Sequence, residues 1–119
     1  MTPNILVVDD EPGIVQFVRG ALEDEGFDVT TAADGRRAVE MAAARAPDLV
    51  VLDMSLPRLD GAGVAAELRR LHGDGVRILL ITADGRAPEK ARQVGAFDYL
   101  AKPFDLNRLL DKVQAGLTS

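Results

Sequence analysis

Short unbroken runs of branched apolar residues punctuate the chain at Ile5 to Val8, Leu49 to Leu52 and Ile78 to Ile81. Each is closed by a polar side chain: Asp9, Asp53 and Thr82 respectively. Between these runs the apolar period lengthens to that of a helix. Pro12 is well placed to open a helix, and Ile14, Phe17, Val18 and Leu22 recur at helical spacing before Gly26 ends it. Val29 to Ala32 reads as a short strand, and Asp34-Gly35 caps an alanine-rich helix that Pro47 stops. A Pro57 loop and Asp60-Gly61 introduce a helix carrying Val64, Leu68 and Leu71. Pro88 starts a shorter helix that Gly95 stops. Asp98 to Ala101 is a brief strand ending at Lys102, and Leu106, Leu109, Leu110, Val113 and Leu117 mark a last helix.

Strict alternation of strand and helix predicts a parallel sheet covered on both faces. The strands at Ile5, Leu49 and Ile78 are apolar throughout, as strands buried on two faces are. The short mixed strands at Val29 and Asp98 suit the edges. The expected fold is therefore α/β, a doubly wound five-stranded parallel sheet. It matches the known order 2-1-3-4-5 and a flavodoxin-like three-layer α/β/α arrangement.

A length of 119 residues suits one domain over 1–119. Net charge is −5, and with four Phe, one Tyr and no Trp there is neither a basic surface nor a stacking platform for nucleic acid. The absence of cysteine excludes disulfides and thiolate metal sites. No apolar run is long enough to span a bilayer and no basic-then-apolar leader is present. The expectation is a cytoplasmic protein with no membrane partner.

In an open parallel sheet, ligands bind beyond the carboxyl ends of the strands, where strand order reverses. The first strand delivers Asp9 and Asp10 there, the third Asp53, the fourth Thr82 and the fifth Lys102. Three anions packed together disfavour one another's ionisation and call for a cation. With oxygen ligands alone a hard divalent ion is implied, Mg²⁺ first and Mn²⁺ in its place. Mg²⁺ keeps open positions that phosphoryl oxygens can fill. Lys102 would neutralise another such oxygen, and Thr82 would donate to a third. Asp53 is then the nucleophile, since carboxylates form acyl phosphates.

These residues resemble the receiver domain of two-component response regulators over essentially the whole chain. The matching stretches are "VVDDEP", "DLVVLDMSLPRLDG", "LLITA" and "DYLAKPF". The resemblance implies that Asp53 accepts a phosphoryl group from a phosphohistidine on a sensor histidine kinase or a histidine phosphotransfer protein. It implies that Asp10 and Asp53 bind Mg²⁺ directly, Asp9 partly through water, with the backbone carbonyl of Ser55 completing the set. Thr82, Ala83, Tyr99 and Lys102 take the switch and phosphate-clamping roles, and the Lys102-Pro103 bond is cis. The protein implied is a signalling domain that catalyses only its own phosphorylation and dephosphorylation. Its partner would be an output domain, an effector or a second copy on the surface of the fourth helix, fifth strand and fifth helix. Ser55 and Asp84 stand where the family tunes dephosphorylation.

Other polar residues read more plainly. Asp34, Asp60 and Asp105 are capping or turn residues. His72, in "LHGDGV", reads as a solvated loop histidine. Lys90, Arg92, Arg108, Asp111 and Lys112 form either a solvated mixed-charge face or a docking surface. A phosphohydrolase with an aspartyl nucleophile would carry a second acid two residues on, where this chain has Ser55. A phosphate-independent interaction domain would have no use for Asp10, Asp53, Thr82 and Lys102 together.

Overall fold

A computed structural model describes residues 2–56, 58–83 and 85–118. Five strands alternate with five helices: β1 (Asn4–Val8), α1 (Pro12–Asp24), β2 (Asp28–Ala32), α2 (Gly35–Ala44), β3 (Leu49–Asp53), α3 (Gly61–His72), β4 (Arg77–Thr82), α4 (Ala87–Val94), β5 (Asp98–Ala101) and α5 (Leu106–Thr118). A 3₁₀ turn, Gly73–Gly75, joins α3 to β4. The sheet is parallel throughout, in the order β2-β1-β3-β4-β5. The mixed strands sit at the edges and the apolar ones at the centre, as their patterns require.

Alternation along the central strands divides the interior in two. Leu6, Val8, Val50, Leu52, Ile78 and Leu80 face α2, α3 and α4, meeting Ala42, Leu68 and Val94 among others. Ile5, Val7, Leu49, Val51, Leu79 and Ile81 face α1 and α5, against Val18, Leu22, Leu109 and Val113. Each fully buried Leu or Val contributes about 1.5–3 kcal/mol relative to exposure, so these strands are held firmly and their carboxyl ends make a rigid platform.

Caps and turns follow the sequence chemistry. Asp34 Oδ1 accepts from Arg37 N at 2.8 Å, Asp60 Oδ1 from Gly63 N at 2.9 Å and Asp105 Oδ1 from Asn107 N at 2.8 Å. Gly95 closes α4 at φ +68°, a left-handed conformation that glycine adopts without a Cβ penalty. Its carbonyl accepts from Arg69 Nη2 of α3 at 2.7 Å.

Two expectations are corrected. His72 is not a solvated loop residue: it is the last residue of α3, half-buried, with Nε2 2.7 Å from the Ala42 carbonyl near the end of α2. Its ring thus satisfies one of the carbonyls a helix end leaves unpaired. Phe17, counted with the apolar face of α1, is 47% exposed, because that face turns inward through Val18 and Leu22.

Candidate functional site

Asp9 follows directly on β1. Its Oδ1 accepts from the Glu11 backbone N–H at 2.9 Å, closing the turn into α1, and the residue is fully buried. Asp10, next along, is exposed. Asp53 ends β3 and is 4% exposed; its Oδ1 accepts from Ser55 N at 3.3 Å. The chain beyond it is folded tightly. Gly61 N donates to the Met54 carbonyl at 3.0 Å, and a Cβ on Gly61 would stand 2.9 Å from the Asp53 carbonyl oxygen and 2.8 Å from Met54 Cα. Only glycine allows α3 to begin so close to the strand end.

Lys102 enters from the far edge. Its backbone N–H donates to the Thr82 carbonyl at 2.8 Å, continuing the β4–β5 pairing, and the bond to Pro103 is cis. The side chain then reaches back across the strand ends. Nζ lies 2.8 Å from Asp9 Oδ2, 3.0 Å from Glu11 Oε1 and 3.5 Å from Asp53 Oδ2. Thr82, buried at the end of β4, stands on the strand beside Asp53, and Ala83 follows it, exposed. Ser55 is exposed, and Tyr99 lies on the edge strand β5 with 37% of its surface exposed. Asp84 and Pro57 lie outside the described residues. The structure thus brings Asp9, Asp10, Asp53 and Lys102 together, with Thr82 on the adjacent strand end, and leaves Tyr99 on the outer edge.

Charge accounts for the arrangement. Burial pushes the Asp53 carboxyl above the ordinary carboxylate range, the Asp9 charge adds to this, and Lys102 opposes both. Burial acts to lower the Lys102 ammonium, but its contacts with Asp9 and Glu11 and the charge of Asp53 outweigh that and hold it above the ordinary lysine range. One ammonium does not balance the acids. Among the described residues, Asp9, Asp10 and Asp53 each place a carboxylate oxygen within 4.8 Å of the others. Asp9 Oδ2 is fully buried, and although Lys102 Nζ is close, no aligned hydrogen bond reaches it. An oxygen-only donor set with an under-satisfied buried lone pair fits a hard divalent cation such as Mg²⁺.

The sequence offers Glu11 only a place near the N-cap of the first helix, yet it holds Lys102 as closely as Asp9 does within 0.2 Å. Its position directly after the acid pair was the available signal. Beside the acids, a cleft of about 290 Å³ runs from Asp9 and Asp10 along Pro12, Gln16 and Arg19 of α1.

Residues 5–114 match the response regulator receiver domain family. The chain belongs to that family. It is 43% identical over 119 residues to response regulator MprA of Mycolicibacterium vanbaalenii, covering 98% of this chain and 51% of that protein. It is 41% identical over 118 residues to the DNA-binding dual master transcriptional regulator RpaA of Synechocystis sp., covering 97% of this chain and 49% of that protein. This receiver therefore spans about half the length of the curated relatives it matches. Among solved structures, chemotaxis protein CheY4 of Vibrio cholerae superposes with a TM-score of 0.90 at 34% identity, covering 98% of this chain and all of that one. The receiver domain of sensor histidine kinase PA1611 of Pseudomonas aeruginosa, with a magnesium ion coordinated in its active-site cleft, gives 0.90 at 35% identity over the full length of both. Among the described residues of this receiver, no helix is long and apolar enough to cross a membrane.

Proposed function

We propose that this receiver takes a phosphoryl group onto Asp53 from a phosphohistidine of a sensor kinase or phosphotransfer protein. The observation that carries this reading is the Asp53 carboxylate at a strand end, between the acids of β1 and the Lys102 ammonium. An Asp53 oxygen attacks phosphorus as the bond from phosphorus to the imidazole nitrogen breaks, its electron pair staying on nitrogen. Asp53 provides the nucleophile, Lys102 meets one phosphoryl oxygen as a point charge, and the Thr82 hydroxyl donates to another. Asp9, Asp10, Asp53 and the Ser55 carbonyl would hold Mg²⁺ or Mn²⁺, which supplies charge neutralisation for the transferring group. Positioning and charge stabilisation, rather than acid–base chemistry, carry such a transfer.

The aspartyl phosphate then biases a switch. It adds negative charge beside Lys102 and draws the Thr82 hydroxyl inward, carrying the loop after β4 with it. Tyr99 rotates into the space released. The shift holds only if the phosphorylated site favours one conformer over the other. A cavity of about 500 Å³ lined by Tyr99, Pro103, Phe104 and Arg108 lies on the face that would change, and an output domain, effector or second copy would read it. Ser55 and Asp84 would set the lifetime of the phosphoryl group.

Incubation with acetyl phosphate tests the reading. Uptake is expected with Mg²⁺, not with EDTA, and not in Asp53→Asn. Labelling of Asp53→Asn to the wild-type extent, or no uptake by the wild type, would overturn it.

A further inference from the structure

Glu11 occupies the N-cap of α1, yet its side chain makes no capping hydrogen bond. Glutamate is a poor cap, and Ser, Thr, Asp or Asn would satisfy the free N–H groups better. The side chain instead crosses the mouth of the site to Lys102, 91 residues away in sequence, with Oε1 3.0 Å from Nζ. The ammonium is nearer to Asp9 and Glu11 than to Asp53, which stands 3.5 Å off. Lys102 is thus held by two acids that do not accept the phosphoryl group.

We propose that Glu11 is a positioning residue that tethers the Lys102 ammonium at the mouth of the site and competes for it with the incoming phosphoryl oxygens. This rests on the reading of Asp53 as phosphoacceptor. Asp9 is a candidate metal ligand, and cation binding shares its charge. The Glu11 carboxylate is then the anion left to keep Lys102 from swinging into solvent. When the phosphoryl group arrives, the ammonium exchanges Glu11 for a phosphoryl oxygen, and the tether is lost at that moment. Glu11 is 60% exposed at its side chain, so the pair is screened and its hold is small. Releasing it corresponds to roughly a 1.5- to 5-fold change in rate, the range of measured exposed ion pairs.

The test compares wild type, Glu11→Gln and Glu89→Gln. Glu89 lies in the first turn of α4, so its replacement removes one unit of negative charge without touching Lys102. Initial rates of phosphorylation by acetyl phosphate in Mg²⁺ are measured at low and high salt. The Lys102 side-chain ammonium resonance is followed by ¹⁵N NMR in metal-free protein. Glu11→Gln is expected to react about 1.5- to 5-fold faster at low salt, with the gain shrinking at high salt. Its Lys102 resonance should shift and exchange faster with water, while Glu89→Gln matches wild type in both. A Glu11→Gln rate equal to or below wild type, an equal rise in Glu89→Gln, or an unmoved Lys102 resonance would overturn the proposal. If the wild type itself takes up no phosphoryl group, the phosphoacceptor reading falls first and this inference with it.

Discussion

Asp53→Asn should make the metal-free protein more stable. The carboxylate oxygens of Asp53 and Asp9 approach within 4.8 Å, and at an effective dielectric of ~20 two unit charges at that distance repel by about 3.5 kcal/mol. Lys102 Nζ, 3.5 Å from Asp53, attracts it by about 5 kcal/mol on the same scale. The pairwise interactions leave a net attraction of only about 1.5 kcal/mol before the exposed, screened Asp10 is counted. Burial of the carboxylate, 4% exposed, costs several kcal/mol and decides the sign. This agrees with the upward displacement of the Asp53 carboxyl, whose largest cause is burial. Removing the charge is therefore worth about 1–3 kcal/mol, or a rise in Tm of roughly 4–12 °C for a domain of this size. Circular-dichroism melts in EDTA near neutral pH measure it. The gain depends on pH in a defined direction. Well below the ordinary carboxylate range, Asp53 is protonated in both folded and unfolded chains, and the two proteins should melt alike. As pH rises, the unfolded chain loses its proton first, so wild type loses stability from the ordinary value up through the raised folded value. The variant's lead grows across that window and then levels. Saturating Mg²⁺ should erase the lead, because a ligand at 100 times its Kd stabilises the native state by about 2.7 kcal/mol. A variant melting at or below wild type in EDTA at neutral pH would refute the picture of a crowded, desolvated acid pocket.

Two further substitutions probe the same region. Lys102→Met leaves fully buried Asp9 without its cation, which should cost about 3–5 kcal/mol in metal-free urea unfolding and be partly restored by Mg²⁺; a loss below about 1 kcal/mol would show that the pair is not holding the site together. Gly61→Ala puts a Cβ within 2.9 Å of the Asp53 carbonyl oxygen, so it should lose about 1–3 kcal/mol by overpacking and slow acetyl-phosphate labelling; wild-type stability and rate together would refute the tight-approach account.

The strand order and the placement of the main candidate residues were legible because both depend on short-range pattern. Continuous apolar runs mark central strands, and whatever follows such a run must lie at the sheet's carboxyl edge. Asp9, Asp53 and Thr82 were therefore placed by the runs preceding them. The contacts that escaped notice depend on where long side chains reach. Glu11 meets Lys102 across 91 positions, and no local spacing encodes that. His72 was misread because the glycines after it suggest a loop, whereas they end the helix immediately beyond it. Phe17 was misread because periodicity locates an apolar arc without fixing where its margin meets water.

The central sheet also acts as a partition. Odd-numbered residues of β1 look toward α1 and α5, even-numbered ones toward α2, α3 and α4, and the two interiors meet only through the strands themselves. Leu22 and Leu68 each vanish from solvent on opposite sides of that wall. Truncating both should cost the sum of the separate losses, since neither void can relax into the other. One half of the molecule can thus be repacked by drift while the other keeps its fit. The strand ends, where both halves terminate, are the common ground that neither can alter alone.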